Sequence, residues 1–193
     1  LLIDLKRVFD EPDDAHGKEM AYKPVELATL GWIRANYINN HDNVGLYIER
    51  EVIEEISLYR EAGGSTLVEV TPVDIGRNPE GLLRIAEASD INIVMGSGYY
   101  VYGTHPEDME ARTEDDLAEE MSRDVTAGVG NTRIKSGIIG EIGCTWPLDN
   151  NERKVLRAAA QAQRATGAAL TIHPGRDPQA PAEILEVIDA AGG

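Results

Sequence analysis

A carboxylate inside a short apolar run is the feature that most restricts how this chain can fold. The run extends from Gly137 to Cys144, and Glu141 is the one charged residue in it. Apolar runs of about four to eight residues bounded by glycine are typical of buried strands in a parallel sheet. Because an ionised carboxylate is strongly destabilised when it leaves water uncompensated, Glu141 requires a counter-charge, a proton or a bound metal ion.

Strands and helices alternate along the rest of the chain. Strands are predicted at 67–70, 91–95, 137–144 and 169–173, and helices at 29–37, 44–62, 80–88, from the cap at Thr113 to about 125, 150–166 and 181–191. Helical connections between successive strands predict a parallel sheet in a single α/β domain spanning residues 1–193. The sheet would be either doubly wound or part of a (β/α)₈ barrel.

Polar side chains stand at or just past the predicted strand ends, where both architectures place their active sites. These residues are Glu69, Tyr99, Tyr100, Glu141 and His173. One helix separates the strands of Glu141 and His173, so a right-handed crossover would make them parallel neighbours about 4.8 Å apart. Metal bonds of about 2.0–2.2 Å from each side chain can close that gap.

Each of the two residues also has a structural interpretation. Glu141 could form a buried ion pair with Lys135 or Arg133, and His173 could be a hydrogen-bonded residue at a strand end. Their coincidence at neighbouring strand ends favours a metal site, as do glycines beside Glu141 that leave room for a ligand.

Composition narrows the classes of partner. A net charge of −16 and a pI near 4.6 argue against nucleic acid and anionic membrane surfaces. No apolar run approaches the roughly eighteen residues of a membrane span, and the first residues, 1–5, do not show the basic-then-apolar pattern of a signal peptide. Cys144 is the single cysteine, which fits a reducing compartment and is typical of a small apolar filler. We therefore expect a cytoplasmic protein.

The segment from 6 to 43 is polar and irregular, which predicts a long surface excursion. His16 and His41 lie in this segment, and His105 lies in a later polar stretch. Histidines in such surroundings are more often solvated loop residues than ligands, so none of the three is assigned to a site.

Three runs carry a resemblance to a known family. They are 137–148 (GIIGEIGCTWPL), 74–77 (DIGR) and 171–175 (TIHPG). In this order and spacing they resemble the phosphotriesterase-related branch of the amidohydrolase superfamily. The resemblance implies a (β/α)₈ barrel, present here as about strands two to five plus the end of strand one. It also implies two divalent metal ions, usually zinc, at the carboxyl-terminal mouth.

The resemblance also assigns roles to residues of this chain. Glu141 matches the glutamate that bridges the metals, and His173 matches a ligand of the more exposed metal. Tyr100 matches an aromatic residue that borders the substrate and its carbonyl oxygen, although Tyr99 or Tyr102 could serve instead. The family's His-x-His pair is expected before Leu1. Its strand-six histidine and its strand-eight aspartate, the general base, are expected beyond residue 193, so the chain alone is expected to be inactive.

The implied activity is zinc-dependent hydrolysis of an ester-type bond, namely a carboxylic ester, lactone or phosphotriester, by a water that the two metals activate. An amide hydrolase of the N-acyl amino acid type on the same site is one alternative. A non-catalytic α/β protein that binds a small molecule is the other. The expected partner is a small-molecule ester, lactone or amide, and the complete protein could form a homodimer.

Overall fold

The computed structural model describes residues 1–193, which form six strands and seven α-helices. The strands are β1 (Ile3–Asp4), β2 (Gly45–Leu46), β3 (Thr66–Glu69), β4 (Asn92–Met95), β5 (Ile139–Gly143) and β6 (Leu170–His173). The helices are α1 (Ala15–Ala21), α2 (Leu30–Ala35), α3 (Glu49–Glu61), α4 (Pro79–Ser89), α5 (Glu114–Thr126), α6 (Asn150–Thr166) and α7 (Ala180–Ala190). Short 3-10 helices lie in the connections at Lys6–Val8, Val73–Ile75 and Tyr102–Thr104.

The strands from β3 to β6 form two adjoining parallel pairs, which follow one another in the order of the sequence. β3 pairs with β4 and β5 pairs with β6, both in parallel. Backbone amides of the β5 segment join the two pairs by donating to carbonyls in and after β4: Gly137 to Met95 at 2.9 Å, Gly140 to Ser97 at 2.5 Å and Gly143 to Tyr99 at 3.0 Å. Each strand therefore lies beside its successor, as in a barrel, whereas a doubly wound sheet reverses its order.

Helices pack against these strands through two hydrophobic cores. The larger core joins β5 and β6 to α5, α6 and α7, and the smaller one joins α3 and α4 near β3 and β4. α6 contributes the fully buried Ala158, Ala159, Ala160 and Ala162. Since alanine side chains are short, neighbouring elements can approach this helix closely and bury its apolar face.

The helix ends explain why the boundaries of α5 and α6 are as predicted. Thr113 caps α5 in a capping box with Asp116, and Asp149 caps α6 in the same way with Glu152. α6 ends at Gly167, whose left-handed φ of 72° closes the last turn.

The predicted start of the helix at 44–62 is wrong, because α3 begins only at Glu49. β2 pairs antiparallel with β1, and the Leu5 amide donates to the Val44 carbonyl at 2.7 Å. These bonds commit residues 44–46 to an extended backbone. Tertiary pairing has overridden the helical spacing of their apolar side chains.

The segment from 6 to 43 contains two α-helices, of which only α2 is predicted from sequence. α1 is capped by Asp14, whose side chain accepts a hydrogen bond from the Gly17 amide at 2.9 Å. His16 and His41 are exposed, as expected, and His41 also packs edge-on against Phe9 with ring centroids 5.6 Å apart. No helix of the chain combines the length and apolar character that a membrane span requires.

Candidate active site

β5 and β6 carry Glu141 and His173 to the same end of the sheet. His173 Nδ1 lies 3.2 Å from Glu141 Oε2, and the two side chains are 45% and 29% exposed. The structure thus brings the pair together, as their places at neighbouring strand ends predict. Neither Lys135 nor Arg133 pairs with Glu141, so the alternative buried ion pair is wrong. The role of the pair as metal ligands stays a prediction.

The glycines beside Glu141 lie against neighbouring backbone, contrary to the expectation that they leave room for a ligand. A Cβ on Gly140 would lie 2.2 Å from the Thr171 carbonyl oxygen, and the φ of Gly140 is +113°. A Cβ on Gly143 would lie 2.3 Å from the Val101 amide nitrogen. These glycines admit neighbouring backbone, and they do not leave room for a ligand.

Of three candidate tyrosines, only Tyr100 reaches the pair. Its hydroxyl lies 3.3 Å from His173 Nε2, and the two rings are 5.2 Å apart between centroids. The Tyr99 hydroxyl is buried elsewhere and donates to Glu120 at 3.0 Å, while Tyr102 is 58% exposed. Tyr100 is therefore the one of the three tyrosines that lies beside the Glu141–His173 pair, and its role toward a substrate stays a prediction.

The surroundings of Tyr100 keep its hydroxyl protonated. Partial burial raises the pKa of this hydroxyl, and the negative charge of Glu141 raises the pKa further. Arg176 acts in the opposite direction because its positive charge lies close enough to lower the pKa. A protonated hydroxyl can donate a hydrogen bond at neutral pH.

Two residues that the sequence did not assign to the site contact the backbone of Tyr100. The Tyr100 amide donates to both Asp74 oxygens at 2.9 and 3.0 Å, and His105 Nε2 lies 2.9 Å from the Tyr100 carbonyl oxygen. His105 is half-buried, so the prediction that it is a solvated loop residue is wrong. The signal for Asp74 was its place in the turn 74–77, directly after a strand. Burial raises the pKa of the Asp74 carboxyl.

A buried ion pair supports the backbone that precedes Glu141. Arg77 Nη1 lies 2.8 Å from Asp124 Oδ2, and both side chains are 2% exposed. Ser97 Oγ donates to the same carboxylate at 2.9 Å, and the Ser97 carbonyl accepts from the Gly140 amide. The ion pair therefore holds the turn after β4, and this turn is hydrogen-bonded to the strand that carries Glu141.

Glu152 links the loop after β4 to the loop after β5. It is fully buried, and its carboxylate accepts from the amides of Tyr102 at 3.0 Å, Thr145 at 2.9 Å and Asp149 at 3.1 Å. Tyr102 follows β4 and Thr145 follows β5, so one carboxylate fixes both loops against the start of α6.

Cys144 lies in the larger core and not at the mouth. Burial raises the pKa of its thiol to about 12, so the sulfur stays protonated and packs as a small apolar group. This agrees with the prediction of an apolar filler.

The fit of a metal ion depends on the donors that converge at the mouth. Two ligands of one tetrahedral zinc ion lie about 3.3–3.6 Å apart when each bond is about 2.0–2.2 Å. The 3.2 Å separation of Glu141 Oε2 and His173 Nδ1 is close to that range, and oxygen and nitrogen donors suit zinc. No group of three or more His, Cys, Asp or Glu side chains could hold an ion by itself. The pair therefore fits as part of a ligand set.

The chain resembles solved structures along its full length. It superposes on a resiniferatoxin-binding protein from Rhodobacter sphaeroides with a TM-score of 0.93 and 30% identity, covering 100% of this chain and 54% of that one. It also superposes on the phosphotriesterase homology protein of Escherichia coli, solved with phosphate in its active site, with a TM-score of 0.76, 28% identity, and coverage of 90% and 56%. These neighbours define the class: the chain is part of a (β/α)₈ barrel, as predicted.

Sequence comparison identifies the family. The phosphotriesterase family model matches residues 11–193. The phosphotriesterase-related protein of Nematostella vectensis is 40% identical over 100% of this chain and 56% of its own length. The human N-acetyltaurine hydrolase is 41% identical over 88% of this chain and 49% of its own. The chain belongs to the phosphotriesterase family and spans about half the length of these relatives.

Proposed function

We propose that the complete protein is a metal-dependent hydrolase that cleaves the amide bond of a small N-acylated amine. The observation that carries the proposal is the Glu141–His173 pair, with 3.2 Å between Oε2 and Nδ1 at the carboxyl ends of neighbouring strands. Family membership supports a hydrolytic reaction. Relatives named N-acetyltaurine hydrolase at 39–41% identity support an amide as the scissile bond over the ester that the sequence led us to expect.

Glu141 and His173 are the residues of this chain that would hold the metal. Divalent cations, zinc being the usual choice in this family, would lower the pKa of water and polarise the substrate's carbonyl oxygen. The Glu141 carboxylate supplies negative charge at the mouth, where it offsets the charge of bound cations. The His173 ring supplies a nitrogen donor whose orientation is set by Tyr100 and Glu141.

Tyr100 and Arg176 would bind the substrate. The Tyr100 hydroxyl points to the mouth beside His173 and can donate to an acyl oxygen. Arg176 is exposed, forms no ion pair within the chain and lies close enough to Tyr100 to affect its pKa. A guanidinium in that place suits a substrate with a sulfonate or carboxylate group, and N-acetyltaurine carries a sulfonate.

The proposal is tested on the complete protein with a substrate panel of N-acetyltaurine, N-acetylglycine, a carboxylic ester and a lactone. Chelation should abolish hydrolysis, and added zinc or manganese should restore it. Glu141→Gln keeps the side-chain shape but removes the charge, so we expect turnover to fall by about hundredfold or more together with the bound metal.

Glu107→Gln is the matched control, because Glu107 is an exposed carboxylate in the loop after β4. It should leave both turnover and metal content unchanged. Full turnover in Glu141→Gln would exclude a bridging role for Glu141. Hydrolysis of the ester and lactone without the amides would return the assignment to the ester class. Chelator-insensitive substrate binding without turnover would favour a non-catalytic binding protein.

A further inference from the structure

The segment that carries Tyr100 lies outside the strands and α-helices, yet neighbouring groups hold its backbone at every residue from 98 to 102. The Gly98 carbonyl accepts from the Val73 amide at 3.3 Å, and the Tyr99 carbonyl accepts from the Gly143 amide at 3.0 Å. The Tyr100 amide donates to Asp74, and the Tyr100 carbonyl accepts from His105. The Val101 carbonyl accepts from the Thr104 amide at 2.8 Å, and the Tyr102 amide donates to Glu152 at 3.0 Å. Gly143 lies so close that a Cβ on it would be 2.4 Å from the Tyr100 carbonyl carbon. A connecting loop with this many backbone partners is rigid.

Asp74 holds Tyr100 from the loop after β3. Both of its oxygens accept from the Tyr100 amide, and Oδ2 also accepts from Thr104 Oγ at 2.8 Å. Asp74 is 9% exposed and forms no salt bridge. Since a buried carboxylate without a cation is unfavourable, these hydrogen bonds are what compensates its loss of water.

His105 holds Tyr100 from the other side. A carbonyl oxygen can only accept, so the 2.9 Å contact requires that His105 Nε2 carry the hydrogen. Nδ1, on the other edge of the ring, is buried without a partner. The ring therefore keeps its position through the Nε2 bond, at the expense of an unsatisfied nitrogen on its other edge.

We propose that Asp74 and His105 are positioning residues that fix the Tyr100 hydroxyl beside His173 by holding both backbone polar groups of Tyr100. This inference rests on the proposed function, in which Tyr100 contacts the substrate's carbonyl oxygen. A backbone that is held on both sides fixes the direction of the Tyr100 Cα–Cβ bond, and packing of the ring against His173, with centroids 5.2 Å apart, restricts its rotamers. The hydroxyl is therefore placed before substrate binds. Neither Asp74 nor His105 contacts the reacting atoms in this account.

A double-mutant cycle in the complete protein separates positioning from general stability. Asp74→Ala and His105→Ala should each lower kcat/KM by about tenfold, because a hydroxyl displaced by about 1 Å loses its alignment. In a Tyr100→Phe background there is no hydroxyl to misplace, so the same substitutions should change kcat/KM less than about twofold. Equal losses in both backgrounds would show a purely structural role and overturn the proposal.

Conservative variants should restore what the alanine variants lose. Gln at position 105 can donate from a nitrogen placed like Nε2, and Asn at position 74 keeps one oxygen for the Tyr100 amide. His105→Gln and Asp74→Asn should therefore retain most of kcat/KM. His16→Ala and Asp108→Ala are matched controls, because both residues are exposed and lie outside this network. They should behave as the unmodified protein.

A structural readout distinguishes failure of this inference from failure of the proposed function. In crystal structures of the complete protein, the Tyr100 hydroxyl to His173 Nε2 distance should increase by about 1 Å or more in both alanine variants and stay unchanged in the controls. Hydrogen exchange of the Tyr100 amide should accelerate in Asp74→Ala but not in His105→Ala, where Asp74 still accepts from it. If the hydroxyl stays in place in both alanine variants, the inference is wrong whether or not any substrate is hydrolysed.

Discussion

Arg176 adds a positive charge to a mouth whose other charged groups near Tyr100 are carboxylates. It lies three residues beyond His173. The positive charge of Arg176 lowers the pKa of the Tyr100 hydroxyl, whereas the negative charges of Glu141 and Asp74 raise it. An exposed guanidinium without a partner in the chain can bind an anionic substrate group without first breaking an ion pair within the chain.

Replacement of Arg176 should therefore alter selectivity more than chemistry. In the complete protein, Arg176→Ala should raise KM for a sulfonate-bearing amide by about tenfold and leave kcat nearly unchanged, since it removes binding common to ground and transition states. A neutral N-acetyl amine should be hydrolysed as before. Arg133→Ala is the control, because Arg133 is exposed and unpaired but lies ahead of β5, at the opposite end of the strand. An equal rise in KM for neutral and anionic substrates would exclude an anion-binding role.

The residues of the site differ in how far the sequence can predict them. Glu141 and His173 are predictable because parallel strands joined by one helix place their carboxyl ends together. Asp74 has only a weak signal, its place in the turn 74–77 directly after a strand. His105 has none, because no hydrophobic period encodes the path of its loop. A histidine in a polar stretch is usually solvated, and only the local path of the loop turns His105 toward the Tyr100 carbonyl.

At the scale of elements, β5 depends on glycine where other chain segments cross it closely. Gly143 meets the backbone of the Tyr100 segment, and Gly140 meets the carbonyl of Thr171 in β6. Backbone atoms cannot rotate away as a side-chain end can, so a methyl group here must displace a whole segment.

Gly143→Ala should consequently destabilise the fold by about 2–3 kcal/mol through overpacking. The measurement is urea unfolding of the complete protein, followed by near-UV circular dichroism of its aromatic residues. Gly103→Ala is the matched control, because a Cβ there would meet nothing within 4 Å. It should change stability by less than about 0.5 kcal/mol. Equal stability of the two variants would mean that the segment carrying Tyr100 moves freely, contrary to its many backbone bonds.

Helix boundaries were predictable where local chemistry specifies both ends. α6 satisfies this condition, with a capping box at Asp149 and a left-handed Gly167 after its last turn. α3 does not, because pairing of β2 with β1 takes up residues that carry a helical apolar pattern. α1 has Gly17 inside it and too few apolar residues to show a period, so the cap residue Asp14 is its one sequence signal.

At the scale of the whole molecule, the set of parallel strands from β3 to β6 is open. β6 pairs only with β5 and β3 only with β4, so each keeps one edge without a ladder. The four residues of β6 are all only half-buried, and Val68 in β3 is 57% exposed. Alternation of strands and helices left a barrel and a doubly wound sheet open, and the resemblance to the phosphotriesterase-related branch implied the barrel. A barrel buries these edges by closing, which the strands of this chain do not do.

Residues 1–193 expressed alone should therefore self-associate. Unpaired strand edges beside apolar surface are templates for pairing with another copy. Metal should be lost on dialysis, because Glu141 and His173 are two donors where a zinc site takes at least about three from the protein. The measurements are size-exclusion chromatography with light scattering, and metal analysis after dialysis, with the complete protein as the control. A monomer that retains metal and hydrolyses substrate would mean that the open edges are satisfied in a way this fold does not reveal, and that the remaining ligands come from within residues 1–193.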